Sequence, residues 1–528
     1  MILMEEARLK YPKEIEEIRK LGFEPFGGRF DRNASIAELM KKYSGMKEDE
    51  RNDKASVKIA GRIKSIRGHG KLVFMDIEDF SGRMQLYIEE TMLEERQNRL
   101  VKLIGTGDII GVEGGVLKTK RGELSVHVRD VEMLAKTMRQ MPKEWYGLKD
   151  PETRYRQRYL DMILNSEIKE MFVKKSRFWK AMRDFMLSKG FIEVETPVLE
   201  NTTGGADAKP FIAHHNTLDI DVYMRISTGE LWQKRLMVAG FEKTFEIGRI
   251  FRNEGIDPEH AQDYTQLEFY WAYADYEQAM ELVEEMYKYV AQQAFGTLKF
   301  RINGFDVDLG KKWERYDYRE QVKKHTGVDI NSAALGECLK KLDELGMEYE
   351  DKGMNLGRAI DSLWKFCRKK IAGPGFLINE PVIVSPLAKR RSDNPNLAER
   401  FHPIIAGSEI GNGYSELNDP VDQACRFAQQ AKLREAGDEE AQMYDRDFVE
   451  ALEYGMPPTA GFGVSERFFA FLMDKPIREC TMFPLLRPKA DEKAEKKDGK
   501  KIENENEKEN ENKYKNASKK KTVNSDKK

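Results

Sequence analysis

The chain has 528 residues, with 89 basic and 91 acidic side chains and a formal net charge of -2. That balance excludes a globally basic nucleic-acid coat and an acidic scaffold, so any nucleic-acid surface must be local. The length suits about two to four domains. Cys338, Cys367, Cys425 and Cys480 are scattered without Cys-x-x-Cys spacing, which argues against a zinc site or disulfide framework and favours a reducing compartment. No apolar run approaches a membrane span and the N-terminus carries no signal-peptide core, so a cytoplasmic protein with no membrane association is expected.

Residues 1–54 read as a helical extension. Ile15, Ile18 and Leu21 make an apolar stripe among charges, and Ser35 with Glu38 has capping-box spacing. The basic helix Arg8 to Lys20 could touch RNA phosphates, although a solvated face explains it more simply. Residues 55–135 change texture to about five short alternating runs punctuated by glycines, with a helical stretch near Met92 to Leu103 between the third and fourth. That pattern predicts a small antiparallel barrel of the oligonucleotide-binding (OB) type, which binds single strands by stacking bases on aromatics. Phe74 is the candidate for stacking, with Arg62 and Gln85 for base edges; Phe74 could equally be core.

Residues 136–160, with Pro142 and Pro151, read as a linker. A long helix follows from about Ser166 to Ser188. Phe191 to Leu199 reads as a strand, in which Pro197 marks an edge or interface. The loop from Asn201 carries Gly204 and Gly205, which allow close backbone approach to a ligand.

Thr244 to Tyr273 organises the chain. It reads as strand, loop and strand, with Phe245, Ile247, Arg249 and Phe251 on one face. Arg252, Glu254, Glu268 and Tyr270 then stand on a sheet beside a loop of about Gly255 to Asp263. Residues 277–295 form an amphipathic helix. Residues 303–375 read as helical and charged, with no chemistry. In Gly407 to Pro420, Glu409 and Glu416 lie seven apart around Gly411 and Gly413, which suits Mg²⁺ shared with phosphates. Gly461 to Met473 reads as a glycine-rich turn and then a helix, with Arg467 near its start to grip phosphate or cover a base. Residues 489–528 are almost free of apolar side chains, and a disordered tail is expected.

These motifs resemble those of class II aminoacyl-tRNA synthetases. Phe191 to Leu199 resembles motif one, Phe251-Arg-Asn-Glu with its return strand motif two, and Gly461 to Arg467 motif three. An N-terminal OB barrel is similar to the aspartate, asparagine and lysine group. Gly204-Gly-Ala-Asp-Ala-Lys-Pro-Phe, His214-His-Asn, Val384-Ser-Pro-Leu-Ala, Glu409 to Asp419, Pro457-Pro-Thr-Ala-Gly and Met482-Phe-Pro-Leu-Leu-Arg-Pro resemble the lysine enzymes. The resemblance spans about residues 5–488.

It implies an α+β multidomain protein: an OB barrel for the anticodon over 55–135 and a catalytic domain, an antiparallel sheet flanked by helices, over 161–488. It further implies a homodimer joined at motif one, including Pro197. ATP, L-lysine and tRNA(Lys) are the implied partners, and Mg²⁺ the implied cofactor. On the family pattern Arg252 bridges the lysine carboxylate and the α-phosphate. Arg467 covers the adenine and reaches the γ-phosphate, with Tyr264 on the other face; Glu254 and His260 complete the ATP site. Glu409 and Glu416 hold the metal. Gly205 and Glu230 take the α-amino group. Glu416 and Tyr270 meet the ε-ammonium, near Glu268, Asn412 and Tyr414.

Glu416 sets the amino acid. The aspartate relatives carry arginine at this position, and a carboxylate has the wrong sign for aspartate. Three departures stand out. Glu259 occupies a position that is basic in many lysine enzymes and would repel a γ-phosphate; the segment before Glu230 is one residue longer; and motif three reads Ser465-Glu-Arg.

Overall fold

A computed structural model describes residues 12–69, 71–139, 141, 150–206, 208–255, 257, 259–349, 354–436 and 441–487. The expected disordered tail, 489–528, lies outside the described residues. The chain divides into two compact units, Met1–Lys149 and Asp150–Lys528.

In the first unit, α1 (Pro12–Lys20) and α2 (Ile36–Lys42) precede the barrel. Ser35 caps α2 through its side chain, while Glu38 accepts the Ser35 N–H at 2.7 Å, the reciprocal pair that the sequence spacing predicts. Five strands follow: β1 (Arg51–His69), β2 (Leu72–Glu78), β3 (Arg83–Glu89), β4 (Ile109–Lys118) and β5 (Leu124–Ala135). They close in the order β1-β2-β3-β5-β4, so no sheet edge is left open. The helix α3 (Glu95–Leu103) joins β3 to β4, where the sequence places it. Met75, Ile77, Met84, Leu86 and Ile88 alternate into a fully buried core. Phe74, Asp76, Gln85 and Tyr87 therefore point to the outer face, and Phe74 is not a core residue.

The second unit is built on a nine-stranded sheet, of which eight strands form one path and the ninth, Ser408–Glu409, pairs beside it with the strand Arg400–Ile405. Its path runs β9 (Glu314–Asp317), β10 (Gly375–Ile378), β11 (Arg400–Ile405), β12 (Asn412–Ser415), β13 (Thr459–Ser465), β8 (Asp263–Ala272), β7 (Lys243–Phe251) and β6 (Ile192–Glu193). Only the outermost neighbours, β9 with β10 and β6 with β7, pair in parallel. Two long helices, α4 (Ser166–Ser188) and α6 (Tyr276–Phe295), pack on the sheet. Phe178, Phe245, Phe269, Tyr287 and Phe462 fill that layer.

Several sequence expectations are revised. The segment Phe191 to Leu199 is not one strand: only Ile192–Glu193 pairs with β7, and Leu199–Glu200 joins a separate three-stranded sheet. Pro197, which cannot donate to a ladder, stands exposed between them. Pro151 starts a helix, Pro151–Arg156, and a second spans Arg158–Leu164, so the second half of the expected linker is helical. The alternation of β7 does not separate core from solvent. Phe245 and Ile250 are both fully buried, and Glu246 is buried against Arg225 at 2.5 Å.

Candidate active site

The floor of the site is a strand of small residues. β13 lies between β8 and β12, and its Gly463 faces Glu268 on one side and Asn412 on the other. Gly461 likewise faces Tyr270 and Tyr414. Side chains from the flanking strands thus meet over bare backbone. A Cβ on Gly461 would sit 2.1 Å from Glu416 Oε1 and 2.7 Å from the Tyr270 ring. The glycines that read as a turn in the sequence are this strand, and their spacing of two keeps one face open.

Above the floor is a cavity of about 350 Å³. Gly205, Glu230, Arg252, His260, Tyr264, Glu268, Tyr270, Glu409, Asn412, Tyr414, Glu416 and Arg467 all line it. Residues that the sequence scatters over more than 260 positions are therefore brought together. Arg252 and Glu254 lie in the loop after β7 rather than on the strand, and Glu254 is not part of the cavity wall. The Arg252 Nε donates to Ile226 O at 3.2 Å, and its guanidinium lies 5.8 Å from the Tyr264 ring centre. His260 is held by Asp257 at 2.6 Å. Gly205 has φ of +89°, and a Cβ there would meet Ser227 Oγ at 2.6 Å and Glu230 Cβ at 2.8 Å.

One end of the cavity is a buried ionic cluster. Glu230, Glu268 and Glu416 are each 5% exposed or less. Lys234 lies one turn after Glu230 on α5 (Glu230–Val238) and binds both Glu230, at 2.7 Å, and Glu416, at 2.5 Å. Tyr414 Oη donates to Glu230 at 2.5 Å. Glu268 accepts from Thr228 N at 2.7 Å, from Tyr270 Oη at 3.1 Å and from Gln266. Burial works against the Lys234 charge, but Glu230 and Glu416 outweigh it and raise its pKa. Burial, then the charge of Glu230, pushes Glu268 up to about 7. Burial drives Glu416 well above the usual carboxylate range although Lys234 pulls the other way. With all three carboxylates ionised against one ammonium, this end would be two positive charges short of neutral, and the raised pKa values of Glu268 and Glu416 show that protons make up part of that shortfall.

Glu409 behaves in the opposite way. Burial opposes its charge, yet His402, Arg368, Trp364 and Arg400 hold its pKa at about 2. Trp364 Nε1 donates to Oε1, while Oε2 has only cations at 3.9 to 4.0 Å, from His402 and Arg368. His402 hydrogen-bonds the Gly411 carbonyl at 3.0 Å through Nδ1 and Glu380 at 2.8 Å through Nε2, so both ring nitrogens donate and the imidazole is charged. Arg467 starts α7 (Arg467–Leu472) and pairs with Glu259, whose Oε2 also accepts from Ser408 Oγ at 3.4 Å.

The sequence reading missed Lys234, Gln266, Arg400, His402, Trp364 and Arg368. Lys234 was detectable, being four residues after Glu230 at helical spacing. Trp364 and Arg368 belong to the stretch judged free of chemistry, and only the fold carries their helix, Leu356–Arg368, to Glu409.

The barrel has its own candidate face. Phe74, Tyr87 and His127 form a row across β2, β3 and β5, with ring centres 5.4 and 5.6 Å apart. Arg51 lies 5.6 Å from the Tyr87 ring centre. Gln85 is 9% exposed and accepts from Ser125 Oγ at 3.0 Å, and Arg62 donates to Gly107 O at 2.7 Å. Both polar candidates thus have partners within the barrel. Tyr87 and His127 went unnoticed in the sequence.

Two known families match the stretches that carry this sheet and the barrel. A family model described as tRNA synthetases class II (D, K and N) matches residues 150–487. An OB-fold nucleic acid binding domain matches residues 57–134. The chain belongs to the class II aminoacyl-tRNA synthetases of the D, K and N group. Among similar proteins is the lysine–tRNA ligase of Thermosipho melanesiensis, 45% identical over 496 residues, covering 93% of this chain and 98% of the relative. That of Thermotoga maritima is equally similar. That of Moorella thermoacetica is 44% identical over 483 residues, covering 91% and 97%.

The ionic cluster predicts a stability effect. Lys234→Met removes the ammonium that pairs with both Glu230 and Glu416 and should cost about 3–5 kcal/mol in denaturant unfolding. Adding Glu416→Gln should recover part of that loss. A single mutant as stable as the parent would show that the cluster is hydrated and weakly coupled.

Proposed function

We propose that the chain is an ATP-dependent lysine–tRNA ligase, which forms lysyl-adenylate and then transfers lysine to the 3′ end of tRNA(Lys). The observation that carries this reading is the charge of the cavity. Once ionised, Glu230, Glu268 and Glu416 against Lys234 call for two further positive charges, and lysine brings an α- and an ε-ammonium that replace the protons they otherwise take up. An aspartate side chain would add negative charge to the same end.

No side-chain nucleophile is required. The lysine carboxylate attacks the α-phosphate, pyrophosphate leaves, and a ribose hydroxyl of the tRNA then attacks the carbonyl and releases AMP. Positioning and charge neutralisation supply the rate. Arg252, fixed by its bond to Ile226 O, bridges the carboxylate and the α-phosphate. Glu230, supported by Gly205, takes the α-ammonium. Glu416, with Glu268 and Tyr270, takes the ε-ammonium, and Asn412 and Tyr414 shape that end. Tyr264 and Arg467 sandwich the adenine, and Arg467 also reaches the γ-phosphate; His260 lines the same cavity, while Glu254, outside its wall, is assigned to ATP by the family pattern alone. Glu409 suits a hard divalent cation, since it is ionised and Oε2 is free of close donors. Among the described residues no group of three or more His, Cys, Asp or Glu side chains could hold a metal by itself. That fits Mg²⁺ shared with phosphates, which it would neutralise. Lys234 against Glu416 makes Glu409 the stronger candidate of the two metal carboxylates.

The N-terminal extension is assigned to 1–54, the anticodon domain to 55–135, and the catalytic domain to 161–488. A homodimer is proposed through the segment around Pro197, where Ile192, Leu199 and Ile212 are each more than half exposed. All four cysteines are free and no described helix is long and apolar enough to cross a membrane, in keeping with a cytoplasmic site of action.

Pyrophosphate exchange into ATP, run across the twenty amino acids, tests the reading: lysine alone should support it, and exchange with none would leave an RNA-binding relative without catalysis. In the same assay Glu416→Gln should lose about 2–5 kcal/mol with lysine, roughly thirty-fold to a few thousand-fold in kcat/KM. Discrimination against norleucine, which lacks the ε-ammonium, should shrink; equal losses on both substrates would assign Glu416 to the metal alone.

Lysine binding should also depend on pH. Glu268, under burial and the charge of Glu230, is raised to about 7, so below that pH it carries a proton that a bound ammonium must expel. Lysine affinity should therefore be highest above pH 7 and fall below it, by up to about tenfold per unit for one coupled proton. Calorimetry in two buffers of different ionisation heat should detect the released proton, and a flat profile would refute the coupling.

For the barrel, Phe74→Ala should cost about 1–3 kcal/mol of tRNA affinity while lysine-dependent exchange without tRNA is retained. Unchanged tRNA binding in the folded mutant would remove Phe74 from the interface.

A further inference from the structure

Arg467 is one of the cations that line the cavity, and it already has an anionic partner. Its side chain is 19% exposed, and Glu259 Oε2 pairs directly with one terminal nitrogen. The Arg467 Nε is buried with no acceptor, so the guanidinium is only partly satisfied. Glu259 comes from the loop between β7 and β8, not from the sheet. The turn that presents it is fixed by Asp257 Oδ1, which accepts the N–H groups of Glu259 and His260 at 2.7 and 2.8 Å. The carboxylate is 35% exposed, and Ser408 Oγ donates to the same oxygen. Ser408 is the neighbour of Glu409, so this carboxylate lies where phosphates would meet both Arg467 and a metal.

We propose that Glu259 is a resident counter-ion in the terminal-phosphate site, which ATP must displace, and that it thereby sets the enzyme's affinity for triphosphate and pyrophosphate. The inference rests on the assignment of Arg467 to the terminal phosphates of ATP. The chemistry is competitive. A carboxylate and a phosphate cannot share one guanidinium without like-charge repulsion in a half-buried site. Held as an ion pair, Arg467 is kept ordered and its burial is compensated. Displacement is feasible because Glu259 is partly exposed and returns to water. A ligand without terminal phosphates gains nothing from the displacement, so the competition acts on only part of the ligand set.

The experiment uses the full-length enzyme with Mg²⁺ and compares the parent with Glu259→Gln, which keeps the shape and removes the charge, and with Glu259→Asp, which shortens the reach. Binding is measured for three ligands: ATP, pyrophosphate and a non-hydrolysable lysyl-adenylate analogue. ATP and pyrophosphate should bind roughly three- to thirty-fold more tightly to Glu259→Gln, the worth of one partly exposed charge-assisted hydrogen bond. Glu259→Asp should move in the same direction by less. The adenylate analogue, which leaves the terminal-phosphate site empty, should change less than about twofold. Equal or weaker ATP and pyrophosphate binding in folded Glu259→Gln would overturn the proposal. So would an equal gain on all three ligands, which would mean a generally loosened cavity. A parent that binds no ATP would instead refute the functional reading on which the proposal rests.

Discussion

The structure depends on burying three carboxylates beside one ammonium. Glu230, Glu268 and Glu416 are almost fully removed from water, and Lys234 neutralises only one of them. Isolated buried charges are costly, and the group responds by taking up protons or by binding cations. The raised pKa of Glu268 and Glu416 expresses that cost. A ligand with two ammonium groups relieves it, and few other amino acids can. On the proposed reading, specificity arises from this electrostatic deficit built into the fold.

The rest of the catalytic unit serves to hold this deficit in place. Antiparallel register sets Gly463 between Glu268 and Asn412, and Gly461 between Tyr270 and Tyr414. The missing side chains on β13 let the neighbours converge, since any Cβ at Gly461 would strike Glu416 and Tyr270. Behind the sheet, Phe178, Phe245, Phe269 and Phe462 supply the apolar layer that keeps the strands in register. Both signs of charge line the cavity. The carboxylate cluster is acidic, Arg252 and Arg467 also line the cavity, Arg368 and the charged His402 lie beside Glu409, and Arg400 bonds Asn412. A zwitterionic amino acid and a polyanionic nucleotide can lie head to tail among these charges.

Seen through the chain, the two ends were not equally visible. Glu268, Tyr270, Asn412, Tyr414 and Glu416 stand in dense local motifs, where period two and clustered glycines mark a ligand-facing strand. Trp364 and Arg368 lie on an amphipathic helix with ordinary composition, and only the packing of that helix beside Glu409 gives them a role. Glu259 was visible as a charge of unexpected sign, but its pairing with Arg467 spans more than 200 residues and could not be inferred from spacing. On the barrel, alternation left Phe74 undecided between core and surface. The register that sets it beside Tyr87 and Tyr87 beside His127 resolved the question.

The sequence by itself determined the elements and the chemistry they carry: the five-stranded barrel, the strand–loop–strand of motif two, the capping box at Ser35, and the residue types of the cavity. These are legible because hydrophobic period, turn residues and helix caps act over a few residues. The tertiary structure decided what depends on distant neighbours. It broke motif one into two short strands on different sheets and turned the Gly461–Gly463 segment from an expected turn into a central strand. It also put Lys234 between Glu230 and Glu416 and set Glu259 against Arg467. Strand pairing and burial set the sign and strength of every one of these interactions, and neither is written in local spacing.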